Sequence, residues 1–324
     1  MQKALLTHEM GSLAKPGWRV KAYAGKPLSE ADVEDARSWG ERIGLDGHQE
    51  LLELLGRAPL ASKEDRDQVA RWSSRYGVRL LESAGLDVVY DGEQQRSEMY
   101  AWAVAHAKGF EFKGTVRSWD NKYYSKGAVV GDISLEKPYH NDEFGFLTGV
   151  AQADLKVPIT GAYTLADWSY DERYFTDTDL TSPLSERKDA RKEGRRRFTI
   201  DIARNLIRPN VDALLGLGAR WIQIDEPGGS TDPEELDLFA ESFNASVEGL
   251  EGFFSTHLCF SDYNLFFPAI EAMTGCRQYA VGFANYDTRD LGRGEDERPG
   301  YHVIKKFRDL SYRPRSTSLG HAVD

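Results

Sequence analysis

The sequence predicts an α/β chain, and within that class a (β/α)₈ barrel, on three observations. Short apolar runs alternate with amphipathic helical stretches from end to end. Polar, reactive residues stand at the C-terminal ends of the runs: Ser12, Glu93, Thr160, Asp225, His257 and Asn285. A barrel carries its site in that pattern. No glycine-rich phosphate fingerprint follows an early strand, which lowers the rival doubly wound open sheet.

Taken in order, Lys3 to Met10 reads as the first strand, with a turn at Gly11-Ser12. Glu30 to Leu55 has helical spacing interrupted by Gly44 and Gly47. Ser62 caps a helix with acids in its first turn, which puts Val69, Trp72, Tyr76, Leu80 and Leu81 inward and stops near Gly85. Leu86 to Tyr90 is a strand ending in Asp91-Gly92-Glu93-Gln94-Gln95-Arg96, and a helix spans Met99 to Ala107. Phe110 to Trp119 and Ala128 to Ile133 predict a hairpin or arm, an insertion at about 110–135. Leu147 to Leu155 reads as a helix before the strand Val157 to Gly161. The polar, aromatic stretch at about 168–184 reads as a lid-like loop.

A long helix from Ser185 carries Phe198, Ile202, Leu206, Val211, Leu214 and Leu215 inward, with a kink expected at Pro209. The run Arg195-Arg196-Arg197 on it reads as a solvated face rather than an anion site. Trp221 to Glu226 is the next strand, ended by Pro227; Pro233 opens the helix after it. Phe253 to His257 is a strand, Tyr263 to Ala272 a helix, Tyr279 to Phe283 a strand, Pro299 to Leu310 a helix, and Ser316 to Val323 a last strand. The reading gives core strands starting near residues 4, 87, 157, 221, 253, 279 and 316, so a closed barrel wants one more strand–helix unit after Asp324. The expected organisation is a single barrel domain over 1–324 with that last unit missing.

Composition bounds the function. The chain has 324 residues, 40% apolar and 29% charged, which suits a globular domain with a sizeable core. A net charge of −11 argues against nucleic acid or an anionic membrane as main partner. Neither a signal peptide nor a run of the roughly 18 apolar residues of a membrane helix is present, so the expected setting is cytoplasmic and reduced. Cys276 reads as a buried structural thiol. His257 and Cys259 are i and i+2, so in a strand they face one side. One imidazole and one thiolate there are half of a tetrahedral zinc site. His257 alone could be a structural histidine, Glu93 alone a surface acid, and Trp168 lid packing only.

Together these segments resemble the catalytic domain of cobalamin-independent methionine synthase, and more closely its stand-alone archaeal-type relatives. The resemblance rests on Met10-Gly11-Ser12, Asp91 to Arg96, Gly114 to Ser118, Gly131 to Ser134, Thr160 to Thr164 with Trp168-Ser169, Ile222 to Pro227 and Thr256 to Ser261, in that order. It implies a barrel of the methionine synthase and uroporphyrinogen decarboxylase type. It implies a zinc-dependent transfer of a methyl group to the thiol of homocysteine, giving methionine. His257 and Cys259 are then zinc ligands. Glu93 and Asp225 hold the ammonium of homocysteine, Asp225 counting also as the catalytic residue, and Gly11 and Ser12 hold its carboxylate. Ser118, Lys122 and Trp168 fall in the region that contacts the methyl donor, either a methyltetrahydrofolate or a methylated corrinoid protein.

The sequence departs from the family in one internal place. Relatives carry a glutamate zinc ligand where the best register puts Gly282, and a two-residue slip gives Ala284. A second cysteine ligand and a histidine proton donor are expected beyond Asp324. The alternatives are a degenerate barrel that binds an amino acid or a partner without catalysis, and a related zinc enzyme acting on another thiol or on a porphyrin.

Overall fold

The computed structural model describes residues 6–117, 123–175, 181–259 and 262–282. In chain order the elements are α1 (Gly17–Tyr23), α2 (Glu30–Arg42), α3 (Gln49–Leu55), α4 (Lys63–Ser83), β1 (Val88–Val89), α5 (Met99–Val104), β2 (Ala107–Arg117) and β3 (Tyr123–Leu135). There follow α6 (Asn141–Thr148), β4 (Asp154–Thr160), α7 (Ala162–Asp167), β5 (Tyr170–Asp171), α8 (Leu184–Ile202), a π-turn (Ala203–Ile207) and α9 (Arg208–Gly216). The rest is β6 (Trp221–Asp225), a 3₁₀ turn (Pro233–Glu235), α10 (Leu236–Val247), β7 (Phe253–Leu258), a second 3₁₀ turn (Ala269–Ala272) and β8 (Gln278–Val281). Two compact units result: Met1–Arg96 with Asp142–Lys156, and Ser97–Asn141 with Val157–Asp324.

In the first unit, α1 to α4 enclose a core of Trp18, Ala22, Ala36, Leu51, Leu55, Val69, Trp72 and Tyr76. Each buried leucine removes apolar area from water worth about 2 kcal/mol. Caps fix the helix starts. Ser29 Oγ accepts from Asp32 N and Asp32 Oδ2 from Ser29 N at the head of α2, and Ser62 Oγ accepts from Asp65 N at 3.0 Å at the head of α4. Gly85, at φ +83°, follows the end of α4. Leu80 does not face inward as the spacing suggested; it is 38% exposed, and Ser73, Ser74 and Gly77 take the buried face instead. His8 bridges Val88 in parallel, and β1 pairs in parallel with the start of β4, Val88 opposite Asp154.

In the second unit, β6, β7 and β8 run parallel, with Ile222 opposite Phe254 and Thr256 opposite Tyr279. Ile222, Ile224, Phe254, Tyr279 and Val281 are buried, as strands covered on both faces require. The Gly161 amide donates to the Asp225 carbonyl at 2.8 Å, tying the end of β4 to β6. β2 and β3 form the expected antiparallel hairpin, and Ala128 of β3 pairs with Tyr170 of β5. Just before Pro209, where a kink was expected, a π-turn joins α8 to α9.

Three further expectations are overturned, the last of them in part. Leu147 to Leu155 is not a helix: α6 ends at Thr148 and β4 already begins at Asp154, because a short apolar run has no period to separate the two. Tyr263 to Ala272 is turns with only the 3₁₀ segment Ala269–Ala272, since Pro268 supplies no amide hydrogen inside the run. Arg196 and Arg197 are exposed as expected, but Arg195 is not on a solvated face: its Nε donates to Glu235 at 3.1 Å, its Nη2 reaches Asp167 at 3.3 Å, and its guanidinium lies 5.1 Å from the Tyr163 ring centroid. The elements read at Pro299 to Leu310 and Ser316 to Val323 lie outside the described residues.

Candidate functional site

The Glu93 loop leaves β1 within the first unit and is braced from α4. Gly92 has φ +68° and Glu93 φ +62°, the latter the one positive-φ residue other than glycine among the described residues. Such a conformation in a glutamate is held by its surroundings. Asp91 Oδ1 accepts from the Glu93 amide at 2.8 Å, and Ser74 Oγ donates to Asp91 Oδ2 at 2.6 Å. Gly77 leaves α4 bare where the Asp91 carbonyl passes; a Cβ there would sit 2.4 Å from that oxygen. Gln94 Nε2 donates to the carbonyls of Leu13 and Gly92, both at 3.1 Å, and Leu13 N donates to Gly92 O at 3.0 Å. The Gly11-Ser12 segment is thereby stitched to the Glu93 loop. Gly11 is half-buried and Ser12 exposed.

Behind Glu93 lies an ionic cluster. Arg96, 2% exposed, reaches Glu93 Oε1 at 3.4 Å and Glu143 Oε2 at 3.0 Å. Its guanidinium is 5.6 Å from the Tyr90 ring centroid. Burial raises the Glu93 pKa, against the lowering pull of Arg96. Burial, with Glu143 adding to it, pushes Asp91 up to about 7. Glu143 is likewise raised by burial. A second buried guanidinium, Arg19, donates from Nη2 to the Gln94 carbonyl of the same loop at 3.0 Å.

In the second unit, Asp225 ends β6 directly opposite His257 of β7. Gln223 Nε2 donates to Asp225 Oδ1 at 2.7 Å, and Glu226 N to the His257 carbonyl at 2.9 Å. His257 Nδ1 is 2.9 Å from the Ala280 carbonyl, so Nδ1 carries a proton and the ring orientation is fixed. Cys259 follows two residues later as a half-buried thiol. These two side chains suit two positions of a zinc shell by type. Among the described residues no group of three His, Cys, Asp or Glu could hold a metal. Gly282, just past β8, offers no side-chain donor, and its amide donates to Tyr263 Oη at 2.9 Å. Cys276 is a buried thiol raised to about 12 by burial, a structural role as expected.

Trp168, just past α7, stands half-buried against Tyr124 and Tyr100, with ring centroids 5.7 and 6.2 Å away. Ser118 and Lys122 lie outside the described residues, as do Ala284 and Asn285.

Residues 55–275 match the family described as cobalamin-independent synthase, catalytic domain. A methionine synthase from Thermoplasma acidophilum is 34% identical over 311 residues, covering 95% of this chain and 77% of the relative. The chain belongs to the cobalamin-independent methionine synthase family. A second methionine synthase, from Thermoplasma volcanium, is 30% identical over 320 residues, covering 95% of this chain and 76% of its own length. Among solved structures, a B12-independent methionine synthase from a Shewanella species in complex with selenomethionine superposes with a TM-score of 0.60. It shares 20% identity and covers 86% of this chain and 80% of its own, a likeness that carries the fold. The fold is thus α/β, of the barrel type of these methionine synthases.

In this family member two further residues stand out that the sequence reading gave no role. Glu143 looks in sequence like a helix-start acid, yet it is buried against Arg96, 47 positions away. Glu226 is buried beside Asp225 and accepts from Thr164 N at 2.7 Å, Thr164 Oγ1 at 2.6 Å and Tyr163 N at 3.1 Å. Burial lifts its pKa to about 7. It caps α7 from the end of β6. Among the described residues no helix is long and apolar enough to cross a membrane.

Proposed function

We propose that the protein transfers a methyl group to the sulfur of homocysteine to form methionine, in the cytoplasm, as a single barrel domain. The observation that supports this most is the register of β6 on β7, which sets Asp225 beside His257 at neighbouring strand ends in a chain of this family. In this reading Asp225 is a carboxylate for the substrate ammonium, and Glu93 keeps the same expected role on its own loop. Gly11 and Ser12 receive the carboxylate. Asp225 is oriented for the task by the Gln223 amide. Its neighbour Glu226 anchors α7, which ends just before Trp168.

His257 Nε2 and Cys259 Sγ would hold a zinc ion. When bound, zinc keeps the substrate thiol as the thiolate, which is the nucleophile. The Ala280 carbonyl fixes the imidazole ring for that contact. Trp168 and the 118–122 segment would meet the methyl donor. The experiment supplies homocysteine with methyltetrahydrofolate and, separately, with a methylated corrinoid protein. Methionine from either supports the reading, and none from both rejects it.

The gap at Gly282 favours one second reading, a barrel that binds an amino acid without catalysis. Zinc content separates the two: about one zinc per chain supports the enzyme, and none supports the binding module.

A further inference from the structure

We infer that the cavity between α2 and α4 binds a small arylalkyl-ammonium molecule, at a site separate from the one proposed for the amino acid.

Leu80 is the first sign of it. Its place in the spacing of α4 is an inward one, yet the side chain is 38% exposed, and it borders a cavity of about 320 Å³. Two helix stripes form the walls. Asp35, Trp39 and Ile43 follow one another at four-residue steps along α2 and its cap, and Tyr76 and Leu80 stand four apart on α4. Trp18 adds a buried ring, edge-on to Tyr76 with centroids 5.4 Å apart. Trp39, like Leu80, is left open to water, at 40% exposure. Two large apolar side chains open to water on one concave, aromatic wall are what a ligand would cover. The volume lies at the low end of the roughly 300–1,000 Å³ of ligand pockets, so one ring with a short chain fits and a helix does not.

The polar groups set the class of ligand. Ser73 Oγ donates to Gln94 Oε1 at 2.7 Å, and Gln94 Nε2 donates to the Leu13 and Gly92 carbonyls. Tyr76 Oη donates to the Ala36 carbonyl at 2.7 Å. The hydroxyl and amide donors of the wall are thus spent within the protein. Asp35 is different. It is the one charged side chain lining the cavity, it is exposed, and among the described residues it has no hydrogen-bond or ion-pair partner. The Arg42 guanidinium lies 5.0 Å from the Trp39 ring centroid but is not part of the wall. An aromatic body against the rings and a single cation against Asp35 match this wall. An anion of the same shape would meet the carboxylate with like charge.

The probes are phenethylammonium, neutral phenethyl alcohol and anionic phenylpropionate. Their binding to the full chain is measured by calorimetry and by tryptophan fluorescence. Phenethylammonium should bind about fivefold more tightly than the alcohol, the upper end of what an exposed ion pair adds, and phenylpropionate more weakly than either. Asp35→Asn should bring the ammonium to the level of the alcohol and leave the alcohol unchanged. Trp39→Ala should weaken both by about tenfold, the loss of one ring contact. Saturating L-methionine should not displace the ammonium, which separates this cavity from the proposed amino-acid site.

No saturable binding of the ammonium or the alcohol overturns the inference. So does binding that survives Trp39→Ala undiminished, or that methionine displaces, because the probe then sits elsewhere. Binding that follows Trp39 but ignores Asp35→Asn overturns the assigned class of ligand. Circular dichroism checks that the variants fold, and a misfolded Trp39→Ala is replaced by Trp39→Leu.

Discussion

Glu93 and His257 reach their positions in opposite ways. Glu93 sits on a left-handed turn that strand geometry would not choose, and it is kept there by Asp91, Ser74, Gly77 and the Gln94 amide. His257 sits in a regular strand, and the ladder alone puts it opposite Asp225 and Ala280. The first is a local build that costs strain and is compensated by buried contacts. The second comes with the sheet. Damage to the Glu93 loop should therefore cost stability, and damage at His257 should cost ligand binding with little loss of stability.

The sharpest way to break that contrast is Arg96→Met. It strands Glu93 and Glu143 as buried acids without their guanidinium, and should cost on the order of 3–5 kcal/mol by urea unfolding. An unchanged midpoint would mean that the cluster is not what holds the loop. Gly77→Ala comes next. Its Cβ would press on the Asp91 carbonyl, and overpacking of that kind costs about 1–3 kcal/mol. Methyl transfer should fall with it, because the Glu93 turn must move.

The third test uses pH. Asp91 titrates at about 7 in the folded chain against an ordinary 3.8, so the folded state holds its proton more tightly. Its contribution is fully present below about 3.8 and is lost as pH rises through about 7. Glu226, also at about 7, acts in the same direction. Asp91→Asn keeps the acceptor for the Glu93 amide and removes one titration. The wild type should lose roughly 3–4 kcal/mol relative to this variant between pH 4 and pH 8, read from denaturation midpoints. Parallel curves would refute the assignment.

The smallest stability effect belongs to the other region. His257→Asn should shift stability by under about 1 kcal/mol in the metal-free protein, since the ladder does not depend on the ring. Zinc retention after dialysis should nonetheless be lost. Cooperative unfolding at a much lower urea concentration would make His257 a core residue and erase the contrast.

The same contrast explains what could be read from the sequence. The strands that carry Asp225 and His257 are legible because short apolar runs closed by polar residues mark them. The cap at Ser62 and the hairpin carry local signals too. The Arg96–Glu143 pair did not, because its partners are brought together by burial and not by spacing. Glu143 looks like any first-turn acid, and Arg96 like the end of a polar run. Arg195 was misread for the same reason: three arginines in a row suggest solvent, and only the fold supplies Glu235 and Asp167. Ser73, Ser74 and Gly77 interrupt an apolar helix face, a hint that something polar passes there, but the hint does not say what.

The π-turn at Ala203–Ile207 has a consequence for the residues after it. One surplus residue in the winding advances everything downstream by about 100° relative to an unbroken α-helix. That phase puts Asn210 fully inside, where its Oδ1 accepts from the Tyr139 amide at 3.1 Å. Deleting a single residue from the wide turn would swing Asn210 aside and leave a backbone donor stranded where water does not reach. Chain length at this point is therefore as fixed as the identity of any side chain.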